Sequence, residues 1–242
     1  MKKLVALAIA VTAFAGLVGA ASANHAWGNY HWARTTNPFT LKLGDNVSSA
    51  WASYLATTST DWSKSTVLDT TVVAGQSKGR CRPTAGRVEV CNGSYGQNGW
   101  LGVASIWANG SHITQGTVKV NDTYFNTPTY NTPAWRNLVM CQEVGHTLGL
   151  DHQDENFTNT NLGTCMDYTN DPASNQHPNT HDYQQLEGIY AHTDSTTTVG
   201  MSTGFLPDAV PSFTPAHRVS RSTYRTDLGE GRSLVTHVFW IE

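Results

Sequence analysis

Residues 141–155 read CQEVGHTLGLDHQDE. Five of them, Gln142, Glu143, His146, Gly149 and His152, stand at spacings that suit a metal site. A helix brings positions four apart onto one face, so Gln142 and His146 share a face and Glu143 leans toward the same point. Gly149 is free to take a left-handed conformation and end the helix sharply. The chain then turns back and His152 reaches the same place. The array QExxHxxGxxH gathers two imidazoles, an amide and a carboxylate. Imidazoles bind zinc, and a carboxylate beside the metal serves as a general base toward water. The alternative, a helix with two unrelated His residues and a capping Gly, must produce all five spacings by coincidence. Gln142 is the unusual member. Its Oε1 lies as many bonds from Cα as the Nε2 of a His, so the reach is comparable. An amide oxygen is a harder and weaker donor than imidazole, which lowers the expected metal affinity and leaves the metal more electron-poor.

Several elements are needed to position these residues. Trp135, Leu138, Val139, Val144 and Leu148 recur at helical spacing, which predicts a helix from about Ala134 through the motif. A Pro/Asn/Thr loop, residues 126–133, precedes it. Strand patterns fall at FTLKLGD after Pro38, at Leu68–Val73, Arg87–Val90, Trp100–Trp107 and Gly116–Asn121. A helix with Trp51, Tyr54, Leu55 and Trp62 on one side lies between the first two, and Thr180–His192 reads as another with Tyr183, Leu186, Ile189 and Tyr190 buried. The polar tail ends in SLVTHVFWI, a last strand. The order predicts an α+β domain built on one twisted mixed sheet.

EVGHTLGLDH resembles the catalytic stretch of the metzincin metallopeptidases, and HTLGLDH is most similar to the matrixins. Gametolysin-type peptidases resemble metzincins with a Gln at the first ligand position, matching Gln142. Cys165-Met166-Asp167-Tyr168 lies where metzincins have a tight turn with a Met beneath the metal, with Met166 as the matching residue. HDYQQLEGIYA is similar to the matrixin C-terminal helix. The resemblance covers residues 38–192 and is specific at the motif and the Met turn. It implies a zincin fold, one catalytic zinc held by Gln142, His146 and His152, Glu143 as general base, and endopeptidase activity on protein or peptide substrates. Gly149, Met166 and Tyr168 would support the site, and Tyr168 would line a wall rather than touch the metal. Leu101, Gly102, Val103 and Ala104 would form the edge strand that pairs with extended substrate.

Residues 1–23 have a basic start, an apolar run and Ala21-Ser22-Ala23, which read as a secretory signal peptide. The expected division is 1–23 signal peptide, 24–192 peptidase domain, and 193–242 a C-terminal extension packed on the domain. A secreted, extracellular monomer follows, with no membrane association after signal cleavage. Charged residues are 14% of the chain and the net charge is −3, with no basic run, which argues against nucleic acid. Export makes disulfides the default for the four cysteines. Cys81 with Cys91 and Cys141 with Cys165 are the favoured pairs over thiolate ligation. His25, His31, His112 and His237 read as surface or packed residues, and His177 or His181 as the substitute ligand should Gln142 fail. Calcium in the loop DHQDENFTNTN finds no support, because the loop lacks EF-hand spacing. The competing function is a catalytically silent extracellular binding protein with the same fold.

Overall fold

The computed structural model describes residues 24–77, 79–202 and 217–242; the expected signal peptide lies outside them. The elements, in chain order, are β1 (His31–Trp32), β2 (Phe39–Asn46), α1 (Ser49–Trp62), β3 (Leu68–Ala74), β4 (Val88–Gly93), β5 (Trp100–Asn109) and β6 (His112–Asn121). There follow α2 (Asp122–Phe125), α3 (Pro133–Thr147), α4 (Thr180–Ile189), β7 (His217–Arg218), β8 (Thr223–Gly229) and β9 (Arg232–Trp240). A mixed α+β architecture results, as the sequence predicts.

The sheet runs β3-β2-β4-β6-β5-β9-β8-β7, with β1 pairing on β6. β2, β3, β4 and β6 run parallel to one another; β5 is antiparallel to β6 and to β9. β5 is buried along almost its whole length, which explains why WLGVASIW shows no clean alternation. α3 and α1 pack together and against this sheet, with Trp51, Leu55, Trp62, Leu138, Val139 and Val144 in the main core. A smaller apolar cluster of Trp100, Val103 and Val238 lies apart from it.

Local chemistry sets the element ends. Thr132 caps α3 by accepting from the Trp135 N–H, and Pro133 opens the helix. Asn179 and Asp182 form a capping box on α4, which stops at Ile189, short of the expected His192. Two disulfides join Cys81 to Cys91 and Cys141 to Cys165, the pairing favoured from sequence. No helix among the described residues is long and apolar enough to cross a membrane.

One expectation needs correcting. The stretch Leu101–Ala104 is not a free edge: its outer side is taken by β9, with Gly102 opposite Phe239 and Ala104 opposite His237. Beyond residue 192 the described residues continue the same sheet, with β9 beside β5.

Candidate metal centre

Gln142, Glu143 and His146 occupy the last turn and a half of α3 and are fully buried. The helix ends as Gly149 predicts. Gly149 has φ +100, its N–H donates to the His146 carbonyl, and the Leu150 N–H reaches back to the Gly145 carbonyl. This 5→2 and 6→1 pair is a Schellman ending. The turn is packed from outside as well. A Cβ on Gly149 would come within 2.4 Å of the Tyr30 carbonyl oxygen. Leaving this turn, the chain brings His152 back onto His146, with their Nε2 atoms 3.0 Å apart and the rings at 78°. A tetrahedral metal with Zn–N bonds of about 2.0–2.1 Å holds two nitrogens about 3.3 Å apart, so this pair is nearly set for a shared ion.

The surroundings fix which nitrogen faces inward. The Nδ1 of His146 donates to the Leu150 carbonyl at 2.9 Å, leaving Nε2 with its lone pair toward the site. The Nδ1 of His152 lies 3.2 Å from Glu155 and 3.4 Å from Asp151, at ion-pair distance though off the line of a good hydrogen bond. Gln142 donates through Nε2 to the Cys165 carbonyl at 2.7 Å, which aims its amide. Its Oε1 is buried and has no partner in the protein. A buried acceptor left without a partner costs about 1–3 kcal/mol, and a bound cation is one group that would satisfy it. The disulfide Cys141–Cys165 ties this carbonyl to the helix that carries Gln142, Glu143 and His146.

Met166 packs against α3 at Gly145. A Cβ on Gly145 would meet its Sδ at 2.6 Å and Trp62 at 2.7 Å, so only Gly lets the two approach. Tyr168 is buried beside His152, ring centroids 4.5 Å apart, and its hydroxyl donates to the Val238 carbonyl at 2.9 Å. Glu143 abuts the backbone of β5: a Cβ on Gly102 would fall 2.5 Å from its Oε1. Neither carboxylate oxygen has a well-aligned hydrogen-bond partner. Burial pushes its carboxyl well above the usual range, against smaller opposing effects of His152 and the Ala104 amide.

One residue of the cluster escaped sequence reasoning. His237, on β9, is fully buried, and one nitrogen from each of His146, His152 and His237 lies within 4.8 Å of the others. Its ring stacks on His146, centroids 3.8 Å apart and planes 9° apart, while Trp27 closes on it at 3.6 Å. A single ion cannot lie in the planes of two stacked rings, so in this arrangement His237 covers the site rather than sharing the ion. Its Nδ1 bonds to the Thr223 hydroxyl at 3.0 Å and its Nε2 has no partner. The signal was present in SLVTHVFWI: strict alternation puts His237 on the same face as Val235 and Phe239, the buried one.

The electrostatics follow from three imidazoles in one dry site. Burial and the neighbouring His152 hold His146 down to about 3. Burial also opposes charge on His152, but Asp151 and Glu155 outweigh it and raise the group to about 9. His237 is pushed well below the usual value by burial and by the other two rings. Neutral imidazole is the form that binds metals.

The other candidates lie elsewhere. His177 pairs with Asp61 at 2.6 Å and is half exposed, and His181 packs on His25, so neither substitutes for Gln142. His31, His192 and Asp194 form a second cluster away from α3, in which the imidazoles face Oδ1 of Asp194 and Arg34 holds Oδ2 at 2.9 Å. Compared with models of known protein families the chain matches none, and a comparison with curated proteins likewise finds no match.

Proposed function

We propose that this chain is a zinc-dependent endopeptidase of metzincin type, secreted, with Gln142, His146 and His152 as its metal ligands and Glu143 as general base. The observation that carries the reading is the buried group at the end of α3: two Nε2 atoms 3.0 Å apart, an amide oxygen without a partner, and a carboxylate beside them. A divalent cation bound there supplies the Lewis acidity that activates water and polarises a carbonyl. The chain's own residues do the rest. Glu143 accepts a proton from the attacking water at its carboxylate and passes it to the leaving amine. Burial raises its affinity for that proton. The Leu150 carbonyl holds the tautomer of His146, and Asp151 and Glu155 orient His152. Met166 and Gly145 set the floor on which the ligands rest.

A second reading, a binding protein without turnover, draws on one observation: the carboxylate and the imidazoles are closed off from solvent. Calorimetric titration of the metal-free protein with zinc tests the proposal. One ion per chain is expected, with binding weakened by His146→Ala and by His152→Ala, and peptide cleavage that Glu143→Ala abolishes without unfolding the protein. Zinc binding with no Glu143-dependent cleavage favours the second reading.

A further inference from the structure

We propose that the hairpin of β8 and β9 is a built-in occupant of the cleft, seated where an extended substrate would pair with β5, so that a substrate reaches Glu143 only when β9 leaves. The inference rests on the peptidase reading of the same site.

Three independent features carry it. First, β9 runs antiparallel along the whole outer side of β5, from Asn109 opposite Arg232 to Trp100 opposite Trp240. Gly102 and Ala104 are the β5 residues nearest Glu143, and they face Phe239 and His237. An added strand gains affinity through its main chain and specificity through alternate side chains, and β9 has both properties. Second, its inward side chains fill the site itself. His237 stacks on the ligand His146, and Phe239 packs against Tyr168 at 4.8 Å, with Phe157 and Trp135 beyond. Third, the hairpin and the turn that leads into β8 grip the groups that support the ligands. Tyr168 donates to the Val238 carbonyl, and Ser220 and Ser222 donate to Glu155, the carboxylate beside His152.

Part of the hairpin lies outside the main core. Val238, on the outer face, is buried only in the small cluster with Trp100 and Val103, apart from the main core. Among the described residues, β7 and β8 hydrogen-bond in the sheet only to each other and to β9. An element held at one end of a sheet opens at lower cost than the strands inside it.

A reversible lock tests the inference in the full chain. Ser105 and Thr236 face each other on β5 and β9, their hydroxyl oxygens 3.1 Å apart on the half-buried outer side. The double variant Ser105→Cys/Thr236→Cys places a disulfide there when oxidised and frees the strand when mildly reduced. Wild type under the same reductant controls for the native disulfides. Two rates are measured in each form: removal of zinc by a chelator, and cleavage of a mixed peptide library. The inference expects both to fall on the order of tenfold or more upon oxidation, because the site is then reached only through a held strand. Val238→Asp, which weakens the outer cluster, should raise both. If that variant does not fold, the oxidised and reduced forms of the locked protein still decide. Equal rates in the two forms overturn the inference, and if the cleavage still needs Glu143 the peptidase reading survives. Slowed zinc removal with no cleavage by any form supports the hairpin as the closure of the metal site and overturns the peptidase reading.

Discussion

Gly149→Ala is the substitution on which the geometry of the site bears most directly. The residue sits at φ +100, which an L side chain adopts only with strain, and its Cβ would press to 2.4 Å on the Tyr30 carbonyl oxygen. Left-handed backbone costs a non-glycine residue about 1–2 kcal/mol. Forcing an atom into a packed place costs about 1–3 kcal/mol more, and here the obstacle is backbone, which cannot swing aside. The sum is roughly 2–5 kcal/mol, a fall in Tm of roughly 5–15 °C for a chain of this size. Gly188, in the last turn of α4, provides the control: nothing lies within 4 Å of the position its Cβ would take. Gly188→Ala should be neutral or stabilise by up to about 1 kcal/mol through the unfolded state. Urea unfolding of the metal-free proteins measures both. Because the turn at Gly149 also delivers His152, zinc affinity should drop on the order of tenfold in Gly149→Ala and not in Gly188→Ala. A Gly149→Ala protein within about 0.5 kcal/mol of wild type would refute the reasoning, since surface substitutions away from such constraints fall in that range.

Other outcomes follow from the same structure. Glu143→Leu should abolish cleavage and leave the metal-free protein as stable as wild type or more so, because it removes a buried carboxylate with no aligned partner; urea unfolding and peptide assays check the two halves. Removing the Cys141–Cys165 disulfide by paired Ser substitution should cost about 3 kcal/mol from loop entropy and also weaken zinc binding, since the Cys165 carbonyl aims Gln142; the Cys81–Cys91 pair should cost a similar amount and spare zinc affinity. Gln142→Leu should weaken zinc binding by calorimetry while keeping the fold, because it removes the orphan Oε1 together with the amide. On the alkaline side, burial first and then Asp122 raise Tyr95 to about 12, and burial followed by Asp61 and Asp182 does the same for Tyr183. The unfolded chain loses these protons from about pH 10, the folded one only near 12, so stability should fall as pH rises through that window, read by thermal unfolding. Constant stability from pH 10 to 12 would contradict it.

Much of this architecture is legible before folding because its signals are local. Helical periodicity through Trp135, Leu138, Val139 and Val144 fixes which face of α3 is buried, and Gly149 fixes where it stops. The array lies within eleven consecutive residues, so spacing alone brings Gln142, Glu143, His146 and His152 together. The cysteine pairs are short in sequence and were favoured for that reason. What the residues do not announce is partnership across the chain. Ser105 meets Thr236 over a separation of 131 residues, and no pattern in either strand names the other. Leu101–Ala104 therefore reads equally well as a free edge or as an interior strand. His237 has the same difficulty. Alternation places it on a buried face, but only the pairing of β5 with β9 says that the face overlies His146. His31, His112 and His192 gather around Asp194 for the same long-range reason, bringing the N-terminal segment onto the chain just after α4.

Cleavage of a mixed peptide library by the zinc-loaded full chain and its Val238→Asp variant, each beside its Glu143→Ala counterpart, tests the central claim most directly. The account predicts cuts that require both zinc and Glu143, more of them when β9 is loosened. Folded, zinc-loaded protein that yields no Glu143-dependent cut in either background would contradict it, and would leave a buried metal site with a binding role.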